Sequence, residues 1–261
     1  MILRRLGNKK KVAKLILPHF PPHKIFISPF FGAGGMFFNK PKAKYNIVND
    51  LDSDVFNLFQ VVMNQKEDLE KAFYMMPIHS DLLEHWKVNK ETEPVKKALR
   101  FLFLSNLTHL GRGDSIKTSF GNDKSILLKN IDKTFIDLSN VVFINKDYKI
   151  FIEKYLSFRC LDEVASSFIY CDPPYLNTEN NYSNSFTEQD TTDLFDTVIK
   201  TGCKFAISEF DNPFVLELAK KHGLEVITIG ERQNLKNRRT EILIVNYKSP
   251  ALYSLFSHNY L

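Results

Sequence analysis

The sequence predicts an α/β fold, one large domain carrying a smaller insertion, and three observations support this. Apolar strand-like runs opening residues 25–38, at 45–52 and at 167–170 lead into a glycine turn, acids, and an acid with two prolines. Stretches with helical spacing follow such runs, at 53–62 and 148–156, and this alternation is the pattern of a sheet covered by helices. The chain has 261 residues, 44% of them hydrophobic, enough to bury a sizeable core.

Taken in order, the chain opens with Arg5-Leu6-Gly7-Asn8-Lys9, then Lys11 and an apolar helix through Leu17, which by itself reads as a basic first turn of a helix. Residues 25–38 read as a strand, a glycine turn and an apolar helix start. Gly32 and Gly34 remove Cβ atoms where backbone turns sharply and can approach a ligand, and Gly35 can ease helix–strand packing. A second strand, residues 45–52, ends in acids roughly twenty residues after the glycines, where a carboxylate can accept both ribose hydroxyls of an adenosine moiety. Asp50 is the choice for that place, because Asp52 or Ser53 suits a helix cap and Asp54 the first turn of the helix at 53–62.

Between residues 66 and 140 the strand–helix alternation breaks. Helical spacing recurs over 94–110, and a flexible polar run at 111–122 carries Arg112 and Lys117. Residues 141–148 read as another strand with Asp147 just beyond it, either a ligand contact or the opening acid of the next helix. Thr187 with Asp190 has N-cap character. Residues 204–208 and 241–247 read as late strands, and Arg232, Lys236, Arg238 and Arg239 form a basic loop suited to phosphate or to solvent.

The most informative stretch is Tyr170-Cys171-Asp172-Pro173-Pro174-Tyr175. Proline cannot donate to a sheet ladder, so the strand ends where the prolines begin, and Asp172 and Tyr175 fall at a strand's carboxyl end, where open α/β sheets bind ligands. An ionised Asp accepts hydrogen bonds, a proline-flanked carbonyl presents its lone pairs, and a tyrosine offers a stacking face. Together they can clamp the amino group of a planar ring.

Asp172-Pro173-Pro174-Tyr175 resembles the signature of amino-group DNA methyltransferases that use S-adenosylmethionine, and its acid-first spelling favours adenine N6. With Phe30, Gly32, Gly34 and Asn49-Asp50 upstream, the chain is similar to the Dam-like, or D12-class, DNA adenine methyltransferases. The order of parts is also that family's: cofactor loop, target-recognition insertion, catalytic tetrapeptide. The resemblance implies a mixed seven-stranded sheet with helices on both faces, its last strand antiparallel. It divides the chain into a catalytic and cofactor-binding domain, 1–65 and 141–261, and a mostly helical recognition insertion, 66–140. It implies S-adenosyl-L-methionine as methyl donor, held by Arg5, Lys9, Phe30, Gly32, Gly34, Asp50 and Asp172, with Lys9 on the methionine carboxylate. Asp172, Pro173 and Tyr175 are the implied catalytic residues, acting on an adenine flipped out of the duplex. Phe186 packs either beside the cofactor or in the core. Apart from the resemblance, Arg112 and Lys117 are candidate DNA contacts by their chemistry, arginine reading a guanine edge and lysine holding phosphate, and Arg238 is a candidate phosphate contact; solvated loops are the competing view. The family's longer loop pattern around Arg112 is matched only in part, so no recognition sequence carries over.

Composition sets outer limits. Three cysteines without paired spacing argue against a disulfide framework and a zinc site, and no metal is expected. No apolar run reaches membrane-span length and the N-terminus lacks a signal peptide, so a cytoplasmic protein is expected. The net charge of +5 suits a polyanion without identifying one. The expected partner is double-stranded DNA, met by a monomer, with a cognate restriction endonuclease as a further candidate. The competing readings are transfer to cytosine N4, an RNA base or a protein glutamine, and an inactive DNA-binding relative.

Overall fold

The computed structural model describes residues 1–3, 9–117, 123–156, 160–176, 186–233 and 238–251. A short helix α1 (Ala13–Ile16), flanked by single 3-10 turns, leads into β1 (Ile25–Ser28) and β2 (Tyr45–Asn49). Helices α2 (Ser53–Asn64), α3 (Lys66–Met75), α4 (Ser80–Val88), α5 (Pro94–Leu107) and α6 (Asp123–Leu138) follow before β3 (Val141–Ile144). The chain continues through α7 (Tyr148–Ile150), a π-helical turn, α8 (Leu161–Ser166), β4 (Ser167–Cys171), α9 (Glu188–Lys200), β5 (Lys204–Phe210), α10 (Pro213–Lys221), β6 (Glu225–Gln233) and β7 (Arg238–Val245).

The strands form one seven-stranded sheet in the order β3-β2-β1-β4-β5-β7-β6. The five strands β1 to β5 pair in parallel, and β7 runs antiparallel to both β5 and β6. Alternation along the strands divides the core between the two faces. Phe26, Val48, Phe168, Tyr170, Ala206 and Leu243 point into one cluster, and Ile27, Ile169, Cys171, Phe205, Ile207 and Ile242 into the other. Both faces are covered, so these strands read as continuous apolar runs.

The chain winds outward from β1 through β2 to β3, then returns to lay β4 on the other side of β1. Neighbouring β1 and β4 therefore form the topological switch point of the sheet, where α/β folds leave a crevice at the strands' carboxyl ends. Helices α3 to α6 pack against this body. Leu69, Phe73, Leu83, Trp86, Leu102 and Ile131 join the same cluster as Phe26 and Val48.

Three expectations need correction. The apolar helix start after the glycine turn is only a 3-10 turn, Phe37–Asn39, because Lys40 precedes Pro41 and takes an extended conformation. The N-terminal helix is broken into short turns, with Pro18 inside the last. The polar run after α5 is built, not flexible, in its described part: Thr108 and Ile116 form an antiparallel bridge, and Gly113 N donates to Thr108 Oγ1 at 2.9 Å. The anticipated caps are in place. Asp52 accepts from Asp54 N at the start of α2, and Thr187 and Asp190 form a reciprocal capping box on α9. Among the described residues no helix is long and apolar enough to cross a membrane.

Candidate active site

The site is built where β1 and β4 end side by side. At the end of β2, buried Asn49 stitches three strand ends together. Its side-chain amide donates to Pro29 O at 3.0 Å and Lys146 O at 2.9 Å, and its carbonyl accepts from Lys146 N at 3.0 Å. Beyond this anchor, Phe31 N donates to Asn49 O at 2.9 Å and the glycine loop turns outward.

Gly32 and Gly34 both take positive φ, +54° and +71°, but their surroundings differ. A Cβ on Gly34 would lie 2.4 Å from Phe38 Cε2 and 2.8 Å from Phe31 Cζ, whereas one on Gly32 would meet nothing within 4 Å among the described residues. Gly34 is thus demanded by packing, and Gly32 leaves its side of the loop open. Asp50 fixes this loop: its Oδ2 accepts from Gly32 N at 2.6 Å and its Oδ1 from Asp52 N at 2.9 Å. Phe30 forms an aromatic wall with Tyr148, centroids 5.2 Å apart, and with Phe186, edge-on at 6.2 Å. Asp147 serves the helix, accepting from Lys149 N at 2.9 Å as the N-cap of α7.

At the end of β4 the chain leaves the ladder at Cys171, and Asp172 stands half-buried on the crevice side. Its Oδ1 accepts from Lys9 Nζ at 2.6 Å. The same ammonium lies 3.3 Å from Glu241 Oε1 and 4.4 Å from the centroid of the Tyr175 ring. Lys9, expected on the cofactor's carboxylate, is therefore seated on two protein carboxylates and is almost fully buried. The Tyr175 hydroxyl donates to Glu241 Oε1 at 2.5 Å, and its ring meets Phe210 edge-on at 4.7 Å. Burial, then the charges of Asp172 and Glu241, push the Tyr175 hydroxyl well above the usual tyrosine range, so it stays a donor.

Glu209 backs this loop. Its Oε2 accepts from Leu176 N at 3.2 Å and its Oε1 from Phe210 N at 2.8 Å, and burial pushes its carboxyl up to about 8. Glu209 and Glu241 were not singled out by the sequence reading. The signal was present: each is a carboxylate set in an otherwise apolar strand, in Phe205-Ala206-Ile207-Ser208-Glu209 and Glu241-Ile242-Leu243-Ile244-Val245. A buried strand carries a charge only where a partner meets it.

Asp172, Pro173, Tyr175, Lys9, Phe30, Gly32, Gly34 and Asp50 thus lie on the loops at the carboxyl ends of β1, β2 and β4 or on the N-terminal turn packed against them. The predicted DNA contacts lie on other segments. Arg112 is exposed on the loop after α5, while the Lys117 ammonium donates to Asn106 O. The basic stretch is the end of the β6–β7 hairpin, where Arg232 pairs with Arg239 and Gln233 with Arg238. Arg239 carries its guanidinium over the Phe210 ring at 5.4 Å. Arg5, Lys236 and residues 181–185 lie outside the described residues, as does the side chain of Arg238.

With this geometry in hand, a family model described as D12 class N6 adenine-specific DNA methyltransferase matches residues 6–235. The chain belongs to that family. As a member it is an S-adenosylmethionine-dependent enzyme that methylates adenine N6 in DNA. Relatives include a DNA adenine methylase of Serratia marcescens, 29% identical over 74% of this chain and 75% of that protein. The DNA adenine methylase of Escherichia coli K12 is 26% identical over 87% of this chain and 86% of its own length. A Type II methyltransferase of Lactococcus lactis subsp. cremoris, M1.LlaDCHI, is 24% identical over 92% of the chain and 93% of its own. Among solved structures, the N-terminal domain of human METTL16 in complex with SAH aligns at TM-score 0.41 and 10% identity, covering 91% of this chain and 68% of that one. An rRNA methylase of Streptococcus thermophilus aligns at TM-score 0.37 and 11% identity, covering 91% and 94%.

Proposed function

We propose that this D12-class methyltransferase carries out its reaction at the β1–β4 crevice, with Asp172, Pro173 and Tyr175 receiving a flipped adenine opposite a glycine loop that holds the methyl donor. One observation carries the assignment: the Asp-Pro-Pro-Tyr loop and the Gly32 turn leave adjacent parallel strands at the switch point, joined through buried Lys9 to the last strand. In a duplex, N6 is paired and stacked, so the base has to leave the helix to reach a crevice at a sheet edge.

Asp172 accepts one N–H of the target amino group, and the Pro173 carbonyl accepts the other. Neither Pro173 nor Pro174 has an N–H to occupy the acceptors nearby. Two fixed acceptors draw the nitrogen lone pair out of conjugation, and because they are positioned beforehand they cost little reorganisation. Tyr175 provides the stacking face, its plane set by the hydroxyl bond to Glu241 and the edge contact with Phe210.

S-adenosylmethionine, when bound, supplies the sulfonium methyl group. The residues present fit it: the open side of Gly32 admits a ligand against backbone, and Asp50 supplies a carboxylate beside that backbone for ribose hydroxyls. Phe30 offers an aromatic face. Lys9 has three N–H donors, of which two face Asp172 and Glu241, so the third suits the methionine carboxylate. Arg5 would join it from the N-terminal segment.

Recognition of the site in DNA falls to the insertion at 66–140. Exposed Arg112 is the side chain suited to a guanine edge, and Lys117 the weaker candidate because its ammonium already serves Asn106. Arg238 and the rest of the β6–β7 hairpin end would hold phosphate. The enzyme would act as a cytoplasmic monomer on double-stranded DNA, with a cognate restriction endonuclease as a further partner. Replacement of Asp172 by alanine tests the core of this reading. Transfer of labelled methyl to duplex DNA should be lost while the melting temperature stays within a few degrees of wild type, about 1 kcal/mol for a chain of this size. Turnover like that of the wild type would remove Asp172 from the reaction.

A further inference from the structure

The charges behind Asp172 raise a difficulty that the reaction has to solve. A neutral amino group competes poorly with an ammonium for the charge of a carboxylate, because the ion pair is the stronger hydrogen bond, even though Lys9 is held by the Oδ1 oxygen of Asp172 and not by both. Lys9 sits 2.6 Å from the Asp172 oxygen and is buried, so water cannot take it over. Besides the methionine carboxylate, an acceptor fixed in the protein can hold the ammonium when Asp172 turns to the substrate.

Glu241 is placed for that task. It stands on β7, opposite Phe210 of β5, with its side chain buried and its Oε1 3.3 Å from Lys9 Nζ. The distance is about half an ångström longer than a tight charge-assisted contact, so a small movement of Nζ would exchange one carboxylate for the other. The two acids differ in exposure: the Asp172 side chain is 23% exposed and that of Glu241 1%. Only Asp172 can therefore meet a substrate. The same Glu241 oxygen holds the Tyr175 hydroxyl at 2.5 Å, which ties the position of Lys9 to the plane of the stacking ring.

We infer that Glu241 is a positioning residue that takes the Lys9 ammonium from Asp172 when the target amino group arrives, and that it fixes the Tyr175 ring in the same act. This rests on the reading that Asp172 receives the amino group. Glu241 touches neither substrate nor methyl donor and works through Lys9 and Tyr175.

The experiment compares Glu241→Gln, Lys9→Met, the double variant and Asp172→Ala by single-turnover methylation of duplex DNA at saturating methyl donor. Melting temperature and donor affinity are measured alongside. Glutamine keeps a carbonyl for the Tyr175 hydroxyl but offers no charge to compete for Lys9. The expected result for Glu241→Gln is a single-turnover rate lowered at least about tenfold, or about 1.4 kcal/mol of barrier. Its melting temperature and donor affinity should stay near those of wild type. In the Lys9→Met background, where no ammonium blocks Asp172, the Glu241→Gln change should cost little further, the signature of coupled residues. A wild-type rate for Glu241→Gln, full additivity with Lys9→Met, or a rate loss that merely tracks a lowered melting temperature would each overturn the inference. If Asp172→Ala is inactive in such a case, the reading of Asp172 survives and only Glu241 is reassigned. If Asp172→Ala is active, the underlying reading fails first.

Discussion

Gly32 and Gly34 stand two residues apart, both with left-handed backbone, yet alanine should damage them in different ways. At Gly34 the new methyl would lie 2.4 and 2.7 Å from Phe38 ring carbons and 2.8 Å from Phe31. The Phe31 ring is locked edge-on against Phe38, Phe59 and Phe143 at 5.0–5.9 Å between centroids, so the clash cannot relax on that side. Left-handed backbone costs an alanine roughly 1–2 kcal/mol, and overpacking adds about 1–3 kcal/mol, so Gly34→Ala should lose about 2–5 kcal/mol of stability. Gly32→Ala carries only the backbone cost of about 1–2 kcal/mol, since among the described residues no atom lies within 4 Å of its Cβ. At roughly 2–4 °C per kcal/mol for a chain of this size, thermal unfolding should separate the two clearly. Equilibrium binding of S-adenosylmethionine should reverse the order. Gly32→Ala, folded but blocked where the ligand approaches, should lose affinity beyond what its stability change explains. Equal melting temperatures, or wild-type affinity in Gly32→Ala, would refute the division of roles between the two glycines.

The remaining predictions concern carboxylates. Asp50→Ala should raise the dissociation constant for S-adenosylmethionine at least about tenfold, the scale of one or two charge-assisted bonds; unchanged affinity, read by calorimetry, would move the ribose contact elsewhere. Glu209 predicts a pH effect on stability. Its carboxyl ionises near 4.5 when unfolded and near about 8 when folded, so its contribution is fully present below the unfolded value and is lost as pH rises through the folded one. Across that window wild type should lose up to about 1.4 kcal/mol per pH unit relative to Glu209→Gln, and denaturant titrations giving a difference independent of pH would contradict it.

Much of the scaffold was legible because its signals are local. The runs at 25–28 and 167–171 are central parallel strands buried on both faces, and such strands are almost wholly apolar, while 45–49 and 141–144, nearer the sheet edge, keep Tyr45 and Val142 exposed. Asp52 and Thr187 announced helix starts through residues two or three positions away. The helix expected after Gly35 failed because the proline that stops it lies beyond the apolar run that suggested it. Strand β6 was harder to see, since it lies at the sheet edge with a bulge between Thr228 and Gly230. The expected catalytic and cofactor residues among the described ones lie on loops and a turn that the sheet brings to one crevice, but their partners were not visible. Lys9 meets Asp172 across 163 positions of sequence, and Tyr175 meets Glu241 across 66. No spacing rule links residues so distant; only the strand order does.

The central claim is that this crevice methylates the amino group of adenine in DNA. The direct test is to incubate the purified protein with duplex DNA and methyl-labelled S-adenosylmethionine, digest the DNA to nucleosides and identify the labelled product. The account predicts label in N6-methyladenine. Label in methylcytosine, or no label while the protein still binds S-adenosylmethionine, would contradict it.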